Sequence, residues 1–294
     1  GPVWDLNETW VIVAGACLFA AFPEWYATLF SGFYLPLLLI LLALIVRGVS
    51  FEYRHQRDDI SWKRRFDWMI TIGSAVPALL WGVAVGNIVQ GVPIDADKNF
   101  TGSLLTLLNP YGLWVGVTTL LLFFLHGVYF VGLKTDGQVH HDAQALGKKL
   151  AIPTVIFAAG CVVWTIAIAA GRDAPLLWAV IACGVIAAVA LLASVAFNWV
   201  DRDGRAFAAG AVTIVFAVLT LWLALFPYVM PASNDPANSL TIANASSTQM
   251  TLEIMSWAAL VFLPLVLAYQ AWTYWVFRKR VTRTMIEKAE ASAH

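Results

Sequence analysis

Few residues of this chain could do chemistry, and their surroundings narrow what that chemistry is. His126 lies in LLFFLHGVYF, deep inside an apolar run. A neutral imidazole there could ligate a metal, haem iron included. It could equally sit hydrogen-bonded on a seam between helices, the simpler reading where no other apolar run offers a His or Met pair. Asp5 and Glu8 flank the first apolar segment, in GPVWDLNETW. Asp5 suits a helix N-cap and Glu8 the third helical position, near the positive end of the dipole. The alternative is proton uptake: an acid held partly desolvated at a membrane surface has its pKa raised toward neutrality. Arg47, Glu52 and Arg54 close the next apolar segment, where they could form an ion-pair network or hold a lipid phosphate. Cys17, Cys161 and Cys183 lie in apolar runs with no C-x-x-C, so they read as buried hydrophobes without a disulfide or metal. No P-loop, GxSxG, HExxH or dinucleotide fingerprint stands in its required context.

The elements that must carry these residues are membrane helices. Of 294 residues, 60% are hydrophobic and 12% charged, about half the roughly 25% charge of a soluble domain. Mean hydropathy is +0.75. That composition excludes a soluble enzyme, a disordered chain and a nucleic-acid binder. Long apolar runs without period-two alternation exclude a barrel, and in lipid a helix satisfies its own backbone. The sequence predicts an all-α integral membrane protein with eight helices, near 8–22, 25–47, 67–90, 111–133, 150–170, 175–199, 205–229 and 250–277, in a single membrane domain over 1–294. The first is short for a span of about 20 residues.

Lys and Arg alternate from connection to connection. Sixteen lie in 47–66, 134–149, 201–205 and the C-terminal tail, against only Lys98 and Arg172 in the others. The positive-inside rule then puts both termini of this chain in the cytoplasm. Residues 230–249 read as a solvated connector packed on the outer surface. Gly82-x-x-x-Gly86 and Gly112-x-x-x-Gly116 allow close helix approach.

The whole string is more specific than any motif. GPVWDLNETW followed by AGACLFAAFPEWYATLFSGFYLPLLLI resembles the start of subunit II of cytochrome bd-type quinol oxidases. So do ALIVRGVSFEYR, RFDWMITIGSAVPALLWGVAVGNIVQGVP and LLNPYGLWVG, and, late in the chain, FPYVMPASNDPANSLTIANASSTQMTLEIMSW. These strings cover most of 1–117 and 225–275; residues 150–222 are similar in hydropathy alone.

The resemblance implies nine helices in the family, two four-helix bundles plus an outer helix, with the family's first helix absent from this chain. It implies a bacterial cytoplasmic (inner) membrane location and a haem-bearing subunit I as partner. That partner would ligate two haems b and one haem d, oxidise menaquinol or ubiquinol, and reduce oxygen to water. This subunit would ligate no haem and no metal, and would seal subunit I from lipid. A bound quinone or lipid and small accessory subunits are further partners the resemblance allows; nucleic acid is not one. The family's WDGN acid, on a cytoplasmic proton path, matches Asp5, and Trp4 and Asn7 match its neighbours. Leu6 stands where the family commonly has Gly, which changes the local backbone options. His126 matches no family ligand. The rival readings are a secondary transporter, whose usual sign is paired broken spans with central charges, and a subunit that ligates haem through His126.

Overall fold

In a computed structural model the backbone is described for residues 4–277 and 279–280, and side chains over the same range from Thr9 onward. The chain is helical almost throughout. The order is α1 (Trp4–Ala21), α2 (Pro23–Gly32), α3 (Tyr34–Tyr53), α4 (Ile60–Gln90), a one-turn α5 (Leu104–Leu107), α6 (Pro110–Lys134), α7 (Gln138–Gly171), α8 (Leu177–Trp199) and α9 (Asp203–Leu225). Two short strands, β1 (Tyr228–Met230) and β2 (Leu240–Thr241), then pair antiparallel, and α10 (Ile242–Ala245) and α11 (Gln249–Val276) follow. Among the described residues, seven helices are long and apolar enough to cross a membrane: α3, α4, α6, α7, α8, α9 and α11. The eighth expected, α1, offers the shorter apolar stretch Thr9–Ala21.

Polar caps set the starts. Asp59 accepts from the Ser61 amide at 3.0 Å to open α4, and Asn109 accepts from the Gly112 amide at 2.7 Å to open α6, with Pro110 at its first position. Such caps satisfy backbone donors that the helix itself cannot. Gly91, at φ +91°, ends α4 in a conformation that a side chain would strain.

Three expected boundaries are corrected, the first being the helix expected over 67–90, which begins seven residues earlier, at Ile60. The single helix expected over 25–47 is two, broken at Phe33, with the long one displaced to Tyr34–Tyr53. Hydropathy is continuous across the break, but Pro36 cannot donate to the Gly32 carbonyl four residues back, so the helical ladder is interrupted there. A Cβ on Gly32 would lie 2.6 Å from the Phe100 Cβ, and Thr28 donates to the Lys98 carbonyl at 2.7 Å. The helix expected over 150–170 begins at Gln138, twelve residues earlier, because polar residues 138–149 continue the helix beyond its apolar stretch.

Helices α6, α7, α8 and α9 pack as a closed four-helix ring, while α4 joins α3 on one side and α6 on the other. The α4–α6 crossing is close because the two glycine pairs meet. A Cβ on Gly82 would lie 2.8 Å from the Gly116 Cα, and one on Gly86 3.0 Å from the Gly112 Cα. Helix α11 packs on α1, and none of the residues in its apolar window is buried.

The connector over 230–249 is not merely solvated. Met230, Leu240 and Ala245 are fully buried, and join Val92, Ile94, Leu107 and Tyr111 in one core cluster. Asn234 Nδ2 and Asn238 Nδ2 donate to the Ile94 carbonyl at 2.9 and 3.0 Å. This cap closes one end of the helices.

Candidate functional site

Asp5, Trp4 and Asn7, with Glu8, lie in the first two turns of α1. Their side chains fall outside the described residues. The other predicted residues can be placed. Arg47 lies on α3 against Gly73 of α4, where an added Cβ would meet the Arg47 Cβ at 3.0 Å. Arg54 reaches across to α4 and donates to both carboxylate oxygens of Asp67, at 2.6 and 3.3 Å. That bond holds the Arg54 guanidinium above its ordinary value. Glu52 is exposed on α3. Nothing in the sequence pairs Arg54 with Asp67, thirteen positions on; the hairpin of α3 and α4 brings them together.

His126 lies at the α6–α9 seam. Its ring stacks on Phe207, with centroids 4.4 Å apart and planes at 22°. A Cβ on Gly210 would lie 2.9 Å from its Nδ1, so only glycine leaves it room. The Nδ1 is buried without a hydrogen bond, and so is the neighbouring Tyr129 hydroxyl. The recess they share holds about 10 Å³, enough for one water and far too small for a porphyrin. The residues around His126 therefore do not fit a haem. Among the described residues no group of three His, Cys, Asp or Glu could hold a metal.

Sequence reasoning missed a buried polar cluster at the end of the ring that carries Lys134. Asp203, 8% exposed, opens α9. Its Oδ1 accepts from Gln144 Nε2 at 3.2 Å, and its Oδ2 lies 3.3 Å from Arg280 Nη2 and 3.7 Å from His140 Nδ1. His140 Nδ1 is 2.8 Å from the Gly132 carbonyl. Lys134 Nζ also donates to the Phe277 carbonyl at 2.7 Å. The cluster thus ties the end of α11 to α6, α7 and α9. An acid immediately preceding an apolar helix was the available signal, hidden by the arginines around it.

At the opposite end, Arg172 donates to the carbonyls of Val89 and Gln90, the last turn of α4. A cation there complements the negative end of the helix dipole, and burial pulls its pKa below the ordinary arginine value.

The likeness to known proteins covers nearly the whole chain. The family model described as cytochrome bd terminal oxidase subunit II matches residues 1–277. The Escherichia coli (strain K12) cytochrome bd-I ubiquinol oxidase subunit 2 is 35% identical, over 98% of this chain and 84% of that protein. The Bacillus subtilis (strain 168) cytochrome bd ubiquinol oxidase subunit 2 is 38% identical, over 96% and 83%. Among solved structures, the bd oxidase from Geobacillus thermodenitrificans aligns with a TM-score of 0.67 at 16% identity, covering 94% of this chain and 83% of that one.

Proposed function

The chain belongs to the cytochrome bd terminal oxidase subunit II family, and from that premise we propose that it is the haem-free half of a respiratory quinol:oxygen oxidoreductase. Membership itself makes it a multi-pass membrane subunit of an oxidoreductase complex that contains haem, with a subunit I partner and a quinol substrate. It also displaces the secondary-transporter alternative.

In the proposed division of labour, subunit I holds two haems b and one haem d, and carries the electrons from quinol to oxygen. This chain contributes position and protons. The apolar outer faces of α3, α4 and α11 remain exposed in the isolated subunit; Leu39, Leu41 and Ile72 are each about half exposed. Covering such faces with another helical surface shields the partner from lipid and fixes the pair by close packing. The cap over residues 91–109 and 227–247 and the Arg172 clamp keep the helix ends fixed relative to each other. Asp5 gives the chain a carboxylic acid that takes up protons on the cytoplasmic side, where both termini lie. Each proton consumed from that side, with its electron supplied from the other, works against about 2.3 kcal/mol per 100 mV.

The observation that carries the reading is the family match across residues 1–277. The lack of room for a macrocycle at His126 supports the haem-free assignment. Purification through a tag on this chain tests it. The expected product is a coloured heterodimer that oxidises quinol and consumes oxygen, with its haem spectrum unchanged by His126→Ala. A colourless particle without oxidase activity, or a haem band lost with His126, overturns it.

A further inference from the structure

Inside the ring formed by α6, α7, α8 and α9 lies a cavity of about 160 Å³. All four helices wall it, with Leu122, Cys161, Leu191 and Leu221 among its apolar lining. Five threonines also face it, and each hydroxyl proton is already committed. Thr118 donates to the carbonyls of Trp114 and Phe157, Thr119 to those of Ala78 and Gly116, and Thr165 to that of Cys161. Thr213 donates to the Ala209 carbonyl and Thr220 to that of Phe216. A water needs two to four polar partners to stay in a buried site. Here it would meet a wall that is almost entirely hydrocarbon, with the hydroxyl oxygens turned away from the lumen, so the cavity disfavours water. The contrast is with the recess toward Lys134, where the free His126 Nδ1 and Tyr129 hydroxyl could hold one water.

A dry void of this size forfeits dispersion contacts on every wall. Small apolar solutes regain them: an engineered apolar cavity of about 150 Å³ binds benzene or xenon. Two lining residues, Phe123 on α6 and Val218 on α9, are 44% and 43% exposed, so the cavity comes nearest the outside of the ring between these helices. We propose that this lumen is a binding chamber for small apolar molecules, from a gas up to about six carbons, loaded from the membrane between α6 and α9. Dioxygen belongs to that class; naming it rests on the proposed function, whereas the chamber itself does not.

The test uses the purified complex equilibrated under xenon pressure, with its structure then determined. Xenon density is expected between Leu122, Leu191 and Ala217. Ala187→Leu and Ala217→Leu fill the space and abolish that density. Thr213→Val removes a hydroxyl but little volume, and retains it. Unchanged haem absorption shows that each variant has assembled; where the filled variants do not assemble, the native complex and Thr213→Val decide alone. Ordered waters in the native chamber, a lipid chain running in past Phe123 and Val218, or xenon found only elsewhere overturns the proposal. Xenon needs no turnover, so this outcome is separate from whether the complex reduces oxygen.

Discussion

Asn109 Nδ2 donates to Asn87 Oδ1 at 2.7 Å, joining the first residue before α6 to a side chain buried in α4. Asn87, 1% exposed, also donates to the Val83 carbonyl at 2.8 Å and the Leu107 carbonyl at 2.7 Å. One amide thus fixes α4, the α5 turn and the start of α6. Asn87→Leu fills about the same space but strands the Leu107 carbonyl and leaves the half-buried Asn109 amide only its long 3.5 Å bond to the Thr106 carbonyl. Each buried group left without a partner costs about 1–3 kcal/mol. The thermal unfolding midpoint of the complex should fall by several degrees, and the substitution should matter more than Asn109→Ser, which keeps an N-cap. Equal effects would show that Asn87 is not the hub.

The α4–α6 contact tolerates no side chain at its centre. A Cβ on Gly82 would collide with Thr119 Oγ1, which can rotate, but would also stand 2.8 Å from the Gly116 Cα and 2.9 Å from the Val115 carbonyl, which cannot. Gly82→Val should therefore separate the helices and destabilise by about 1–3 kcal/mol, as overpacking does. Gly127→Ala is the control, since nothing lies within 4 Å of its added Cβ. Comparable yields of folded complex from both variants would count against the close crossing.

The loop between α3 and α4 offers a pH test with a definite sign. Lys63 Nζ lies 2.9 Å from Asp58 Oδ1, and that hydrogen bond holds the Asp58 carboxyl below its ordinary value. A depressed folded-state pKa contributes stability above the unfolded pKa, which is lost as pH falls through the folded value. The pair is solvent-exposed, so its share is small and screened by salt. Melting of native protein and Asp58→Asn should coincide in high salt. At low salt they should differ slightly above the usual carboxylate range and converge as pH falls below it. A difference that grows on acidification refutes the pairing.

Asp203 should matter more than the arginine that meets it. Asp203→Ala leaves Gln144 Nε2 buried without its acceptor and removes the counter-charge of Arg280. The loss expected is about 2 kcal/mol. Arg280→Ala leaves the buried Asp203 its Gln144 donor at 3.2 Å, with His140 Nδ1 3.7 Å away, so it should cost less, about 1 kcal/mol. Denaturation of the two variants checks the ranking. A larger loss from Arg280→Ala would place the anchoring energy in the tail instead.

Much of this architecture could be read from residue types alone, and the failures have physical causes. Long apolar runs gave α6, α8, α9 and α11 nearly to their ends, because in lipid a run of that length has one way to satisfy its backbone. The break at Phe33 escaped because hydropathy runs straight across it, although Pro36, which cannot donate to the Gly32 carbonyl, marks the place. The helical reach of 138–149 escaped because polar residues carry no hydropathy signal, and His140 and Gln144 were lost with it. The outer connector looked solvated because its asparagines are polar; they are polar in order to bind the Ile94 backbone. The α6–α9 chamber was illegible, since no sequence pattern announces an empty space.

Asp5 is the residue on which the proposed proton role stands. It lies in the first turn of α1, where the helix dipole favours a negative charge. An asparagine side chain has nearly the same shape and no exchangeable acid. Asp5→Asn should therefore slow quinol-driven oxygen consumption by on the order of a hundredfold, the low end for one positioned proton-transfer group, while the haem content of the complex stays normal. Asp5→Glu keeps the acid and should recover much of the rate. A packing role predicts the reverse ranking, with the amide tolerated and the longer acid harmful. Full turnover by Asp5→Asn at native haem content would remove this chain from the proton route.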